Sequence, residues 1–253
     1  MGREIKEMLV KLFYPIRTIM GRFVITPSRM KNSLIYKVAA FMAADKIEGD
    51  YLEFGVYTGG SFIAAYKAIQ EVFKNACKPN IWNTEQDRIE KRELWERMRF
   101  FAFDSFQGLP KPSGVDTVSR DFVEGKFSCS QDDFKRNVER QGVPLNRTVI
   151  VPGWFRDTLN DDTIERFNMK SAAIIYIDSD LYESAKMVLN FITPLLVDGT
   201  VIIFDDWYNF KGNPNLGEQR ACREWLESNP DWILTQYQKE GPWKNSFIVN
   251  KKR

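Results

Sequence analysis

Histidine is absent from all 253 residues. That removes the imidazole base of Ser-His-Asp and Cys-His enzymes and any zinc site built on imidazole. A proton acceptor in this chain must be a carboxylate, lysine, tyrosine or water. Cysteine is scarce: Cys77, Cys129 and Cys222 stand far apart in no metal-binding spacing. They suit a reducing cytoplasm better than a disulfide framework, so a cytoplasmic location is expected. No run of about 18 apolar residues exists to cross a membrane. The net charge is only +2, which gives no global argument for a nucleic-acid partner. The GxGxxG dinucleotide fingerprint is also missing, which disfavours an NAD-dependent oxidoreductase.

What is present centres on residues 172–208, AAIIYIDSDLYESAKMVLNFITPLLVDGTVIIFDDWY. Ala172 to Ile177 is a near-continuous apolar run, as in a strand buried on both faces of a parallel sheet. It ends in Asp178, Ser179 and Asp180. Helical spacing of apolar residues follows over 183–196, then a turn at Asp198-Gly199, then a second apolar run ending in Asp205-Asp206. Asp180 is placed to cap the helix that starts near Tyr182. Both strands of this β-α-β unit deliver carboxylates to the edge where open α/β sheets bind ligands. Like charges in one crevice repel unless a proton or cation separates them. Asp178, Asp205 and Asp206 therefore read as a divalent-cation site. Hard oxygen ligands without His or Cys point to Mg²⁺, with Mn²⁺ and Ca²⁺ as alternatives.

Upstream, residues 51–61 read YLEFGVYTGGS, a strand, a glycine-rich turn and a helix start. Gly55, Gly59 and Gly60 allow a sharp turn and close approach to a ligand. Glu53, just inside the strand end, either accepts from a ligand amine or orders the loop. The second strand ends in Asp104, followed by Ser105, and an acid there can take both hydroxyls of a ribose. The third strand, 148–151, leads to Gly153 and Trp154, a residue suited equally to an adenine or to the core. The loop 112–126 is a natural substrate cover. Residues 74–99 are a charged, partly helical insertion with Trp82 and Trp95 as its main apolar anchors. Two strands near 231–238 and 246–250 flank Gly241-Pro242 and, so closely joined, must be antiparallel.

The first 31 residues are basic, with apolar residues on one helical face broken at Pro15. Packing on the domain or on a second subunit is the simpler reading, and contact with an anionic membrane surface the sharper one. The chain divides into an N-terminal helical segment, 1–45, and an α/β domain, 46–253.

Five β-α units closed by an antiparallel pair is the organisation of class I S-adenosylmethionine-dependent methyltransferases. The strings EFGVYTGGS, FDSFQGLP, VPGWFRDTL, IDSDLYES and GTVIIFDDWYN, in that order over residues 50–227, resemble the macrocin O-methyltransferase family. The resemblance implies a Rossmann-like, mostly parallel seven-stranded sheet with an antiparallel last strand and helices on both faces. It implies S-adenosylmethionine and Mg²⁺ as cofactors, a sugar hydroxyl of a natural product or surface glycan as acceptor, and a homo-oligomer. Glu53, Gly55, Thr58, Gly59, Gly60 and Ser61 would hold the methionine part of the donor, and Asp104 its ribose with Ser105 beside it. Gly153 and Trp154 would lie near the base. Asp178, Asp205 and Asp206 would hold the metal, and Asp178 or Asp180 would take the proton. Departures are the long charged insertion and the tail WYNFKGNPNLGEQRACREW. A catechol or other phenolic acceptor, or a nucleotide-binding scaffold without catalysis, are the alternatives.

Overall fold

The computed structural model describes residues 27–118 and 122–253. Two compact units are present, residues 1–32 and 33–253. Of the first, a short helix α1 (Pro27–Asn32) is described. The rest of the expected amphipathic segment lies outside the described residues.

The second unit opens with α2 (Leu34–Ala44), where Ser33 Oγ accepts from the Tyr36 N–H. A Ser at that position satisfies one of the free amides of the first turn. The face Leu34, Val38, Ala39, Met42 and Ala43 is buried. Then follow β1 (Asp50–Phe54), α3 (Gly60–Ala76), α4 (Glu85–Arg97), β2 (Phe100–Asp104), α5 (Gln131–Arg140), β3 (Thr148–Pro152), the short helices α6 (Phe155–Thr158) and α7 (Asp161–Arg166), and β4 (Ala172–Ile177). The chain continues through α8 (Tyr182–Ile192), β5 (Leu196–Phe204), α9 (Gly217–Ser228), β6 (Trp232–Glu240) and β7 (Lys244–Lys251).

The seven strands form one sheet in the order β3-β2-β1-β4-β5-β7-β6. Strands β1 to β5 are mutually parallel, and β7 runs antiparallel to both of its neighbours. Alternation along each strand splits the apolar residues between two cores. Tyr51, Phe100, Ile174 and Val201 face the core built with α2, α3 and α5; Leu52, Phe101, Ile175 and Ile202 face the one built with α8 and α9. The fold is thus the expected α/β architecture with a layer on each face.

Register positions the site. Phe54 pairs with Ile177, and Ile177 with Phe204, so β1, β4 and β5 end level. The ladder runs one residue further through Gly55, Asp178 and Asp205 N–H donors, each 2.9 Å from its acceptor carbonyl. Between β1 and β4 the strand order reverses, and the chain leaves the sheet in opposite directions on either side. Ligand crevices of open α/β sheets open at such points.

Two local expectations are corrected. Trp82 is 88% exposed and anchors nothing. Trp95 does tie the insertion down, stacked on Phe73 with the Arg147 guanidinium 3.9 Å from its ring centre, and Leu94 packs on the same core. Asp180 does not cap α8. Leu181 holds the cap position without a side-chain bond, and Asp116, 66 residues upstream of Tyr182, accepts from the Tyr182 and Glu183 N–H groups instead. No helix among the described residues is long and apolar enough to cross a membrane.

Candidate active site

A cavity of about 520 Å³ opens at the switch point. That is the size of a small-molecule site. Its wall includes Gly55, Asp104, Ser105 and Trp154, and also Asp178, Ser179, Asp180, Asp205, Asp206 and Trp243. Of the loop 112–126, Ser113 and Asp116 line the cavity, with Leu109 and Phe127 just outside it on either side.

In the glycine turn, Gly55 has φ +88, and a Cβ there would lie 1.9 Å from the Asp178 carbonyl oxygen. Only glycine fits a position with both that conformation and that neighbour. Asp104 accepts from the Val56 and Tyr57 N–H groups at 2.8 and 3.0 Å through Oδ2, and from Phe106 N–H at 2.7 Å through Oδ1. The carboxylate expected at a ribose therefore also pins the glycine-rich turn, with acceptor capacity to spare on Oδ1. Ser105 Oγ donates to the Gly108 carbonyl. Thr58, Gly59, Gly60 and Ser61 lie off the cavity wall at the start of α3. Gly59 has a packing reason of its own, since a Cβ would press on Phe134 and Val138 at 3.1 Å. Gly153, also off the wall, donates to the Asp104 carbonyl.

Glu53 sits fully buried beneath this turn. Its carboxyl accepts from Ser61 Oγ at 2.5 Å and from Tyr51 Oη. Burial, only partly offset by these donors, pushes it up to about 8. It orders the start of α3 and does not line the cavity.

Among the acids, one carboxylate oxygen from each of Asp178, Asp205 and Asp206 falls within 4.8 Å of the others. Burial and mutual repulsion push Asp178 well up. Burial pushes Asp206 to about 9 and Asp180 to about 6, with the two carboxyls within hydrogen-bonding reach of each other. Without a cation, then, Asp206 keeps a proton near neutrality. Asp206 Oδ2 and Ser179 Oγ are buried with no hydrogen-bond partner. Buried polar atoms are rarely left so. All-oxygen donors, an orphaned carboxylate oxygen and spacing this tight fit one hard divalent cation.

A family model described as macrocin-O-methyltransferase (TylF) matches residues 18–224. The chain belongs to the macrocin O-methyltransferase family. Among curated members of comparable sequence, it is 30% identical over 182 residues to the 8-demethyl-8-(2,3-dimethoxy-alpha-L-rhamnosyl)-tetracenomycin-C 4'-O-methyltransferase of Streptomyces olivaceus, covering 70% of this chain and 59% of that protein. It is 28% identical over 170 residues to the mycinamicin III 3''-O-methyltransferase of Micromonospora griseorubida, covering 64% and 57%. The chain thus spans less than two-thirds of the length of these relatives. The solved O-methyltransferase NovP shares the fold, with a TM-score of 0.65 at 20% identity over 88% of this chain and 80% of that one.

Three residues that sequence reasoning did not single out join the candidate site of this macrocin O-methyltransferase family member. Lys244, on β7, places Nζ 2.5 Å from Asp205 Oδ1. Tyr176, inside β4, donates to the same oxygen. Glu218, at the start of α9, accepts from the Asp206 N–H at 3.0 Å while its Oε1 has no partner. Burial and the neighbouring Asp206, Asp205 and Asp178 carboxylates push Glu218 well above the usual carboxylate range. Glu218 lies within the divergent tail of the second acidic motif, the one signal in the sequence that marked its neighbourhood.

Proposed function

We propose that this protein transfers a methyl group from S-adenosylmethionine to a hydroxyl of a sugar, on a natural product or a surface glycan, with a divalent cation at Asp178, Asp205 and Asp206. The observation that carries the reading is the convergence of those three carboxylates in the same cavity that the glycine turn lines, next to Gly55. Membership of the family supports it, as do the O-methyltransferase activities of the relatives, one of them on a rhamnosyl tetracenomycin C and another on mycinamicin III.

Bound in that cavity, the donor supplies a methyl group already activated on a sulfonium, and the cation supplies Lewis acidity beside the acceptor hydroxyl. The chain supplies the rest. Gly55 lets the turn approach the donor, and Asp104 offers Oδ1 to its ribose with Ser105 alongside. Trp154 offers a flat face to the base. Glu53 keeps Ser61 and the start of α3 in place under the methionine part. Asp178, Asp205 and Asp206 would hold the cation beside the space left for the acceptor. Fixing two reactants in line removes much of the entropic barrier.

Asp180 is the best-placed proton acceptor. It stands beside Asp206 in the cavity wall, outside the set of three, so its oxygens are not committed to a cation. Burial holds it above the ordinary aspartate range, at about 6 in the cation-free site, which favours it as a base. Asp178 is the alternative.

Purified protein offered S-adenosylmethionine and Mg²⁺ with a deoxyhexoside bearing vicinal hydroxyls is expected to yield the sugar methyl ether and an equal amount of S-adenosylhomocysteine. Methylation of a catechol in preference to the sugar would move the assignment to phenolic acceptors. Failure to bind the donor in calorimetry would discard catalysis and leave a scaffold.

A further inference from the structure

We infer that Lys244, Tyr176 and Asn209 determine which divalent cation the acid cluster accepts, by reserving one oxygen on each of two carboxylates. The inference rests on the cation reading above and deepens it. Asp205 Oδ1 is held by Lys244 Nζ at 2.5 Å and by the Tyr176 hydroxyl, and Lys244 also donates to that hydroxyl at 2.6 Å. The three groups close a triangle. Tyr176 is 5% exposed and fixed within β4, and Lys244 precedes Asn245, which pairs with Phe204 at the tip of β5. The Tyr176 hydroxyl cannot follow Asp205 if it turns, and the Lys244 ammonium is tethered to that hydroxyl. The arrangement repeats next door: Asn209 Nδ2 donates to Asp206 Oδ1, leaving Oδ2 buried without a partner.

Two of the three carboxylates therefore present a single oxygen each. Ca²⁺ takes six to eight oxygens and gains much of that number from two-oxygen carboxylates, whereas Mg²⁺ takes six in a tight octahedron and keeps several waters. Single-oxygen ligands from two fixed aspartates suit the smaller ion. Lys244 and Tyr176 are positioning residues in this account, acting through Asp205, and Asn209 acts through Asp206.

Calorimetric titration of the full chain with Mg²⁺ alone and with Ca²⁺ alone tests this, alongside Lys244→Met, Lys244→Arg, Tyr176→Phe and Asn209→Ala. Wild type is expected to prefer Mg²⁺. Lys244→Met and Asn209→Ala should each shift the ratio of the two dissociation constants toward Ca²⁺ by about tenfold, the scale of outer-sphere effects on metal sites. Tyr176→Phe should shift it less, and Lys244→Arg should retain the preference. General damage to the fold would weaken both ions together and leave the ratio alone. An unchanged ratio in both main variants, or a wild-type preference for Ca²⁺, overturns the inference while the cation site stands. Binding of neither ion by wild type overturns both.

Discussion

Gly55 and Asp178 touch across neighbouring strand ends, with room for a hydrogen and none for a methyl: a Cβ on Gly55 would sit 1.9 Å from the Asp178 carbonyl. The glycine turn and the acid cluster are joined at that contact. Gly55→Ala must displace the β4 tip as well as accept a φ of +88. We expect a stability loss on the order of 2–3 kcal/mol, with donor and cation affinity falling together. Denaturation curves and two titrations check it. Loss of one affinity with the other intact would contradict the coupling.

Asp205→Ala would remove one of the three proposed cation ligands. Turnover is expected to fall by about a thousandfold or more, as when an electrostatic stabiliser of the reacting centre is lost, while the donor dissociation constant stays within a few-fold of wild type. Calorimetry with S-adenosylmethionine beside a turnover assay separates the two. Full activity without this carboxylate would remove the cation from the mechanism.

Glu53 gives a pH signature. Its buried carboxyl has a folded value of about 8, against 4.5 when unfolded. The folded state therefore holds a proton that the unfolded state has lost between those limits. The sign follows: stability is fully present below pH 4.5 and is lost as pH rises toward 8, by up to about 1.4 kcal/mol per pH unit. Glu53→Gln keeps a neutral side chain of the same shape and should remove that slope. Urea denaturation at pH 5, 7 and 9 is the measurement. Parallel pH curves for the two proteins would show that Glu53 is not the titrating group.

Trp243 is 53% exposed and lines the cavity beside Asp205 and Asp206. Its backbone carbonyl, which accepts from Tyr208 N–H, survives side-chain truncation. Trp243→Ala should raise the acceptor KM about tenfold, the scale of one lost aromatic contact, and leave donor binding unchanged. Steady-state kinetics with each substrate varied in turn decides it.

Much of this site was legible in order along the chain. Apolar runs ending in acids marked β4 and β5, and the glycine turn marked the end of β1, because buried parallel strands and their exits leave local signatures. The antiparallel pair near the C-terminal side was legible from its short connection. What escaped reading was set by distance. Asp116 caps a helix 66 residues away, and Lys244 reaches Asp205 across a strand pairing that no local pattern announces. Trp82 looked like an anchor on composition alone, whereas burial depends on what α4 packs against. Glu218 lies in a helix start like many others, and only the fold brings it under Asp206.

The placement of β7 has a consequence for the charge of the site. It follows β6 in the chain yet lies between β6 and β5, so the β6-β7 pair joins the rest of the sheet through β7 alone. Wherever β7 is unpaired from β5, the aspartates at the tips of β4 and β5 stand without the ammonium of Lys244. Neutralising charge for that crevice must then come from protons or from ions in the surroundings. The electrostatic balance of the acid cluster is thereby tied to the docking of the C-terminal strand pair.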